Sequence, residues 1–487
     1  MKNLNDILAN IKILDRIGDT NITIENIKFD SRNVNSNSIF IAVRGVNVDG
    51  HNYINKAIKL KAKAIVCEEF PENIDKNTTY IKVKDSAIAL GLLASNFYDN
   101  PSQKITVVGI TGTNGKTTTA TLLYNMFESL GYKTGLISTV INYVHNKEIK
   151  STHTTPDQVQ LQKLFAQMID EGCEYCFMEV SSHAIHQQRI AGIEFDGGIF
   201  TNLTHDHLDY HKTFVNYRDA KKQFFDDLSE HAFALSNLDD KNGMFILQNT
   251  VAKKYYYALK TPADFNARIL ETDFHGTLLD MDGKEVWIKL IGEFNVYNIL
   301  AIYGASVLLG LDEETALVEI SKLTPVRGRM ETIRSLDGKT FIIDYAHTPD
   351  ALENILNVLN EMKVAGRDII TVFGAGGDRD KDKRPKMGKI AAMLSDKVII
   401  TSDNPRSEDA GAIMEDIRSG ITNEKDAAKT LMIPDREVAI RTAILMSKPG
   451  DIIVIAGKGH EEYQEIGGIK HHFSDKEVVL KNIKVLK

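Results

Sequence analysis

The stretch 107–120, VVGITGTNGKTTTA, constrains the fold more than any other part of the chain. An apolar run leads into two glycines, a lysine and three threonines, and the ATLLYNMFESLG that follows has helical spacing. Strand, glycine turn, then helix is the repeating unit of a parallel sheet covered by helices. Gly112 and Gly115 let the backbone curl so that successive N–H groups point inward; Lys116 adds a positive charge, and Thr117 offers a hydroxyl to a magnesium ion. The spacing misses the common P-loop by one residue, because that pattern asks for glycine at 110, where Ile110 stands, and the glycine is Gly109. The loop reads as a triphosphate cradle formed by Gly112, Thr113, Asn114, Gly115, Lys116, Thr117 and Thr118, against the alternative of a structural Gly/Thr-rich turn.

The rest of the chain divides around this loop. Residues 1–103 hold short strands and one helix with no phosphate loop, and read as a binding domain. From 104 to 332, apolar strand-like runs alternate with helical segments, and a second such rhythm fills 333–487 after the interruption TPVRGRMETIRSLDGKT. The expectation is a three-domain α/β protein, and 487 residues suit that number.

Composition then removes several function classes. Lys plus Arg number 58 against 66 Asp plus Glu, a net charge of −8 with no basic run to track a phosphate backbone, so nucleic acid is not an expected partner. The amino terminus MKNLNDILANIKIL lacks an apolar signal core, and no apolar stretch approaches the length of a membrane helix. A cytoplasmic enzyme without membrane insertion, and a monomer, is expected. Two of the three cysteines form CEYC, which reads as part of a strand; no second pair completes a zinc site.

Polar clusters mark where the chemistry lies. In the middle section GTNGKT, EVSSH, TNLTHDHLDYH and NLDD each follow an apolar run; in the last section DYAHTPD, GAGGDRDKDKRP, SDNPRSED and GKGHEEY do the same. Both domains therefore load the carboxyl ends of their strands, where open α/β sheets bind ligands, and two such edges face to face would enclose a nucleotide. Within these clusters Glu179 and His207 are metal candidates or chance placements, and three histidines in HDHLDYH raise zinc without the flanking ligands that support it. Asp344 and His347 are nucleotide contacts or a helix N-cap and its neighbour. Arg379, Lys383 and Arg406 form a positive set that a solvated surface would also explain.

The ordered set GTNGKTTT, EVSSHAIHQQR, TNLTHDHLDYH, NYRDAKKQFF, GEFNVYNILAI, RGRME, DYAHTPDAL, GAGGDRDKDKRP, DNPRSED and GKGHE resembles the Mur ligases of peptidoglycan synthesis. The likeness runs from DSR at Asp30 to Tyr463, nearly the whole chain. It departs at Ala375, where the family often has cysteine, and at Lys61, where glycine is usual. Folylpolyglutamate synthetase shares the loop and the chemistry but is not expected to carry this first domain or DNPR. A nucleotide-dependent switch or scaffold would leave Lys221 and the last loops without work.

The resemblance implies a fold of a small UDP-binding domain, a central parallel-sheet ATPase domain and a Rossmann-like amino-acid-binding domain. It implies that ATP, with Mg2+, phosphorylates a carboxylate of UDP-MurNAc-L-Ala-D-Glu and that an amine then attacks the acyl phosphate. Lys116 would stabilise the transferring phosphoryl group. Thr117 and Glu179 would hold one magnesium ion, and His207 a second together with Lys221 as a CO2-derived carbamate, although Lys221 by itself reads as an exposed helix lysine. Asn298, Arg329, Asp344 and His347 match nucleotide contacts. Thr154, Thr155, Ser181, Gln187 and Arg189 match muramoyl-peptide contacts, and Ser31 with the VDGH stretch matches the uridine diphosphate site. For the amine, the arginine of DNPR implies meso-diaminopimelate, with Arg406 gripping its distal carboxylate, Asp403 and Asn404 orienting the distal groups, the Gly457 carbonyl and Glu461 accepting the ammonium, and Arg379 binding the other carboxylate. L-lysine would leave Arg406 desolvated and unpaired, so discrimination of about a hundredfold or more is expected. The alternative is that Arg406 caps a turn and faces solvent.

Overall fold

A computed structural model describes residues 1–45 and 48–485. Three large sheets succeed one another along the chain, each with its central strands buried on both faces and built from the apolar runs that the sequence displays; two-stranded pairs, Lys2–Asn3 with Thr23–Ile24 and Tyr463–Ile466 with Ile469–His472, accompany them.

The first sheet is five-stranded, ordered Ile13–Ile17, Thr79–Val83, Ala64–Cys67, Ser38–Ile41, Asn26–Lys28, with only Ile13–Ile17 antiparallel. Alternating residues split between two cores: Ile39, Ile41, Ala64, Val66 and Ile81 on one face, Phe40, Ile65, Cys67 and Tyr80 on the other. Beside Ser86–Phe97, the domain has helices Leu4–Ile7 and Ile54–Lys59, so the expectation of one helix is corrected. Segments this short complete too few turns to print a period in the sequence.

The middle sheet has eleven strands. Its parallel part runs Thr134–Ile137, Tyr175–Glu179, Thr106–Thr111, Gly197–Phe200, Phe233–Asn237, Lys253–Ala258, Phe265–Asp273. Antiparallel strands extend it at both edges: Ile141–Val144 with Lys147–Lys150, and Gly276–Met281 with Lys284–Ile288. The parallel rhythm thus describes the centre, while short turns at 139–140, 145–146, 274–275 and 282–283 make the flanks. Val108, Ile110, Phe177, Ile199 and Leu235 face one core, and Val107, Cys176, Met178, Phe200 and Ala234 the other. The first domain docks through Ser86–Phe97 against Gln158–Asp170, where Gln158 Nε2 donates to Ala87 O at 3.3 Å.

The third sheet is ordered Glu331–Arg334, Thr340–Asp344, Ile452–Ala456, Ile369–Phe373, Lys397–Ile400, Thr430–Met432. All are parallel except Glu331–Arg334, which pairs with Thr340–Asp344 and draws this sheet's start back to residue 331. All three cysteines are buried and free. Cys176 lies on a strand and Cys173 just before it, and burial pushes the Cys67 and Cys173 thiols up to about 11, far from reactive thiolate.

Candidate active site

Every polar cluster of the sequence sits at the carboxyl end of its strand. GTNGKT follows Thr106–Thr111, DYAHTPD follows Thr340–Asp344, and the two edges face each other. Asn114 Nδ2 donates to Asp350 Oδ2 at 2.8 Å and Thr204 Oγ1 to the same oxygen at 3.2 Å, while Arg329 Nη2 donates to Thr117 Oγ1 at 3.2 Å. These bonds close a cleft with one wall from each domain.

The phosphate loop explains its own glycines. Gly112 and Gly115 have φ of +153° and +87°, and a Cβ at either would collide with Thr201 Oγ1 or Asn298 Oδ1. Around the turn, Thr113 N donates to Asn202 O at 2.8 Å, Asn114 N to Asn202 Oδ1 at 2.9 Å, and Thr201 Oγ1 to Asn114 O at 2.6 Å. Lys116 opens the helix Lys116–Ser129, ahead of the apolar run that announced it, and its ammonium donates to Gly112 O and Thr113 O, each at 2.8 Å. Burial lowers its pKa against the opposing pull of Glu179 and Asp206. Thr118 is buried in the first turn.

Thr117 and Glu179 form one unit. Thr117 Oγ1 donates to Glu179 Oε1 at 2.9 Å, and Thr139, which the sequence reading missed, gives the same carboxylate its N–H at 2.8 Å and its hydroxyl at 3.1 Å. Among the described residues no group of three His, Cys, Asp or Glu side chains is placed to hold a metal ion. The hard oxygens of Thr117 and Glu179 instead fit an ion of the magnesium type, which keeps water and substrate phosphate as its other ligands.

Lys221 corrects its reading as an exposed lysine: it is 1% exposed, and its Nζ donates to Gly112 O at 2.7 Å. The helix Phe214–Asp226 turns Tyr217, Lys221, Phe224 and Phe225 to one buried face. That spacing was visible in the sequence but masked by charge. Burial, then the neighbouring Lys116 charge, holds the Lys221 ammonium well below the usual lysine range. His207 stands with φ of +55° ahead of Leu208–His211, 3.4 Å from Asp206 and with its ring centroid 4.9 Å from that of His183; burial brings His183 and His207 down to about 4.

The hinge between the last two domains carries the remaining nucleotide candidates. Asp344 is buried and accepts from Met330 N at 2.6 Å and Ala346 N at 2.7 Å; burial raises its pKa, with Arg329 opposing. Neither Asp344 nor His347 caps a helix: Thr348 caps Pro349–Met362, taking Ala351 N at 3.3 Å, because proline at the first helical position fixes where the helix begins. His347 Nδ1 donates to Tyr345 O at 2.9 Å, and burial brings its pKa down to about 4. Arg329 Nε is buried without an acceptor, and Asn298 is buried against Gly115.

On the flank toward the first domain, Thr155 Oγ1 donates to Glu179 O at 2.8 Å and accepts from Ser181 N at 3.1 Å. Arg189 Nη1 donates to Thr155 O at 3.0 Å and Arg189 Nη2 to Gln187 Oε1 at 2.7 Å. Thr154 joins through Thr139 Oγ1 at 3.0 Å. These five are one cluster. Ser31 is buried in the first domain, and its side chain makes no hydrogen bond to that cluster among the described residues; in VDGH, Asp49 Oδ1 lies 2.7 Å from His51 Nδ1.

In the third domain, SDNPRSED, GAGGDRDKDKRP and GKGHEEY converge. Arg406 turns inward rather than to solvent, donating from Nη1 to Gly377 O at 2.6 Å, and both it and Arg379 approach Gly376, whose Cβ would lie 2.9 Å and 3.8 Å from them. Arg379 is itself exposed. Asn404 Nδ2 donates to Glu461 Oε2 at 2.8 Å. Burial presses the Asp403 carboxyl upward, but the charges of Lys458 and Arg436 outweigh it and hold it below the usual range. A Cβ at Gly457 would press on Asp403 Oδ2.

Sequence reasoning missed what ties these loops. Lys458 lies inside the quoted GKGHE; Arg384 is fully buried between Glu408 at 2.8 Å and Asp416 at 2.8 Å and drives the Glu408 carboxyl down to about 2; and the buried Arg436–Asp475 pair at 2.7 Å stands behind Ser402 and Ala456. Glu465 Oε2, 3.6 Å from Arg406 Nε, corrects the premise that Arg406 would sit unpaired without a substrate carboxylate.

A phosphate loop facing a carboxylate-and-arginine pocket across a hinge defines a nucleotide-dependent ligase of three domains. Models of the Mur ligase family, catalytic domain, of the Mur ligase middle domain and of the Mur ligase, glutamate ligase domain match residues 23–98, 110–306 and 328–459. The chain is 55% identical over 476 residues to a UDP-N-acetylmuramoyl-L-alanyl-D-glutamate--2,6-diaminopimelate ligase of Phocaeicola vulgatus, covering 98% of each, and 55% identical over 474 residues to one of Parabacteroides distasonis, covering 97% of each. A solved structure of a ligase with the same name is 30% identical with a TM-score of 0.71, over 100% of this chain and 99% of that one. The chain belongs to the Mur ligase family.

Proposed function

We propose that this chain is an ATP-dependent ligase of peptidoglycan synthesis that joins meso-diaminopimelate to UDP-N-acetylmuramoyl-L-alanyl-D-glutamate. The observation that carries the reading is the pairing of walls: a phosphate loop with a buried Thr117–Glu179 unit opposite a pocket holding both Arg406 and the Asp403–Asn404–Glu461 group. A carboxylate is a poor electrophile. Its oxygen therefore attacks the γ-phosphorus of ATP and expels ADP; the neutral amine then attacks the carbonyl carbon of the acyl phosphate, phosphate leaves, and an amide remains.

Lys116 and the loop amides stabilise charge that develops on the transferring phosphoryl group. Thr117 and Glu179 would hold a magnesium ion, which would neutralise phosphate charge, and His207 with a carbamate on Lys221 would hold a second. Carbamylation needs a neutral amine, since the nitrogen lone pair must add to CO2 with loss of a proton, and burial beside the Lys116 charge favours the neutral form of Lys221. Arg329, reaching Thr117 from the hinge, joins the last two domains over the nucleotide with Asn298, Asp344 and His347. Thr154, Thr155, Ser181, Gln187 and Arg189 receive the muramoyl-peptide, and Ser31 with the VDGH stretch the uridine diphosphate. The distal carboxylate of diaminopimelate meets Arg406, the other carboxylate Arg379, and the distal ammonium Glu461 and the Gly457 carbonyl.

The protein works as a cytoplasmic monomer; among the described residues no helix is long and apolar enough to cross a membrane. The test is phosphate release from ATP with each substrate omitted in turn. Turnover should require both the UDP-linked dipeptide and the diamino acid, and release independent of either would reject the ligase in favour of a nucleotide switch.

A further inference from the structure

Lys458 is fully buried on the loop that follows Ile452–Ala456, and among the described residues its ammonium donates to no phosphate-loop oxygen. Its ammonium donates to Asn404 Oδ1 at 3.0 Å and Glu461 Oε2 at 3.0 Å, lies 3.6 Å from Asp403 Oδ1, and sits 5.6 Å from the Tyr463 ring centroid. Asn404, Glu461 and Asp403 come from two loops, and each is a candidate contact of the incoming amine. A lysine has three N–H donors and no acceptor, so a buried one is satisfied only by a fixed ring of oxygens. Here that ring is the amine pocket.

The arrangement fixes more than position. Asn404 Oδ1 accepts from Lys458 and from Glu465 N at 2.9 Å, so the amide's NH2 must face Glu461, where it donates at 2.8 Å. Two carboxylates and one ammonium leave a single negative charge for the substrate's ammonium. Without the lysine, the Asp403 and Glu461 carboxylates would lose the positive charge they share, and the amide oxygen would keep only Glu465 N of its two donors.

We propose that Lys458 is the positioning residue of the amine pocket, acting through Asn404, Glu461 and Asp403 to hold them in the geometry and net charge that accept the amino acid. This rests on the reading of that pocket given above. The mutant cost should therefore fall on one substrate.

The experiment measures kcat and KM for all three substrates in wild type, Lys458→Met and Lys458→Arg. Lys458→Met should raise KM for meso-diaminopimelate on the order of 30-fold, as loss of a buried charge-assisted bond implies, with KM for ATP and the UDP-linked dipeptide within about twofold of wild type. Lys458→Arg, which keeps the charge, should bring the diaminopimelate KM back to within about fivefold. If Lys458→Met does not fold, Lys458→Gln, with two N–H donors in similar volume, is read the same way. Equal rises in all three KM values, a fall in kcat alone, or failure of both neutral variants to fold while Lys458→Arg folds would overturn the proposal in favour of a structural cation. Should wild type use another amino acid, the substrate reading fails separately, and that amino acid becomes the probe for the same comparison.

Discussion

The two walls of the cleft are held by different means. The phosphate wall is mostly backbone: within 112–117 the loop's amides and carbonyls bond to Asn202, Thr201 and the ammonium groups of Lys116 and Lys221. The amine wall is mostly side chain, with Arg384 between Glu408 and Asp416, Arg436 on Asp475, and Lys458 at the centre of Asp403, Asn404 and Glu461. Backbone geometry suits a ligand that every family member shares, because amides carry no identity beyond the turn that presents them. Side chains suit a ligand that distinguishes one member from another.

The largest effect should come from Lys116, one of the two ammonium groups bonded to the backbone wall. Lys116→Ala is expected to lower kcat on the order of a thousandfold, the scale of removing a group aimed at transition-state charge, while thermal melting stays near that of wild type. A variant retaining more than about a tenth of wild-type kcat, roughly 1.4 kcal/mol, would remove Lys116 from the chemistry. The next largest concerns Lys221. On the proposed carbamate role, Lys221→Ala should lose on the order of a hundredfold or more in kcat and recover part of it with added acetate. Lys222 is buried too, but its ammonium bonds to Asp226 and lies 5.8 Å from the Phe245 ring centroid instead of meeting the phosphate loop, so Lys222→Ala should change kcat little. Equal losses at both positions without rescue would make Lys221 a structural cation.

The same contrast explains what the sequence reveals. A phosphate loop is contiguous, so Gly112, Gly115, Lys116 and Thr117 announce themselves within six residues, and strand ends are marked wherever apolar runs stop at polar clusters. The amine wall is assembled from separate loops, 374–385, 402–409 and 457–463, and neither a motif nor a charge shows which side chains tie them: Arg384, though inside GAGGDRDKDKRP, and Arg436 look like solvated helix residues until burial is known. Lys221 shows the intermediate case, where the face it shares with Tyr217 and Phe224 is periodic but a charge hides the period. The short helices of the first domain and the hairpins flanking the middle sheet lie below what periodicity resolves.

A third prediction addresses how the walls meet. Asp350 is the acceptor that joins them, taking Asn114 Nδ2 and Thr204 Oγ1 on one oxygen. Asp350→Ala should reduce kcat/KM for ATP about tenfold, the scale of one hydrogen bond to a charged group, with the preference among amino acids unchanged. A change in that preference would show that the walls are not independent, and no change at all would mean the contact is not made during turnover.

The smallest effect tests what the amine wall discriminates. Arg406 is held in place by Gly377 O on its side chain and by two backbone bonds to Glu465 O and Gly467 N, so its position does not depend on the Glu465 side chain. That side chain acts by charge: with Oε2 3.6 Å from Arg406 Nε, it neutralises part of the guanidinium when no substrate carboxylate is present. The penalty for binding L-lysine is therefore smaller than for a bare buried arginine, and the carboxylate itself is a partner for lysine's ammonium. Diaminopimelate brings the same distal ammonium, so Glu465 weighs against it only through the distal carboxylate, which must share Arg406 with Glu465. Glu465→Gln keeps the shape and removes the charge, so kcat/KM for meso-diaminopimelate relative to L-lysine should rise about threefold, the scale expected of a partly exposed ion pair. Arg406→Ala should move the same ratio the other way. If Glu465→Gln lowers the ratio, Glu465 orients Arg406 for the substrate instead of competing with it.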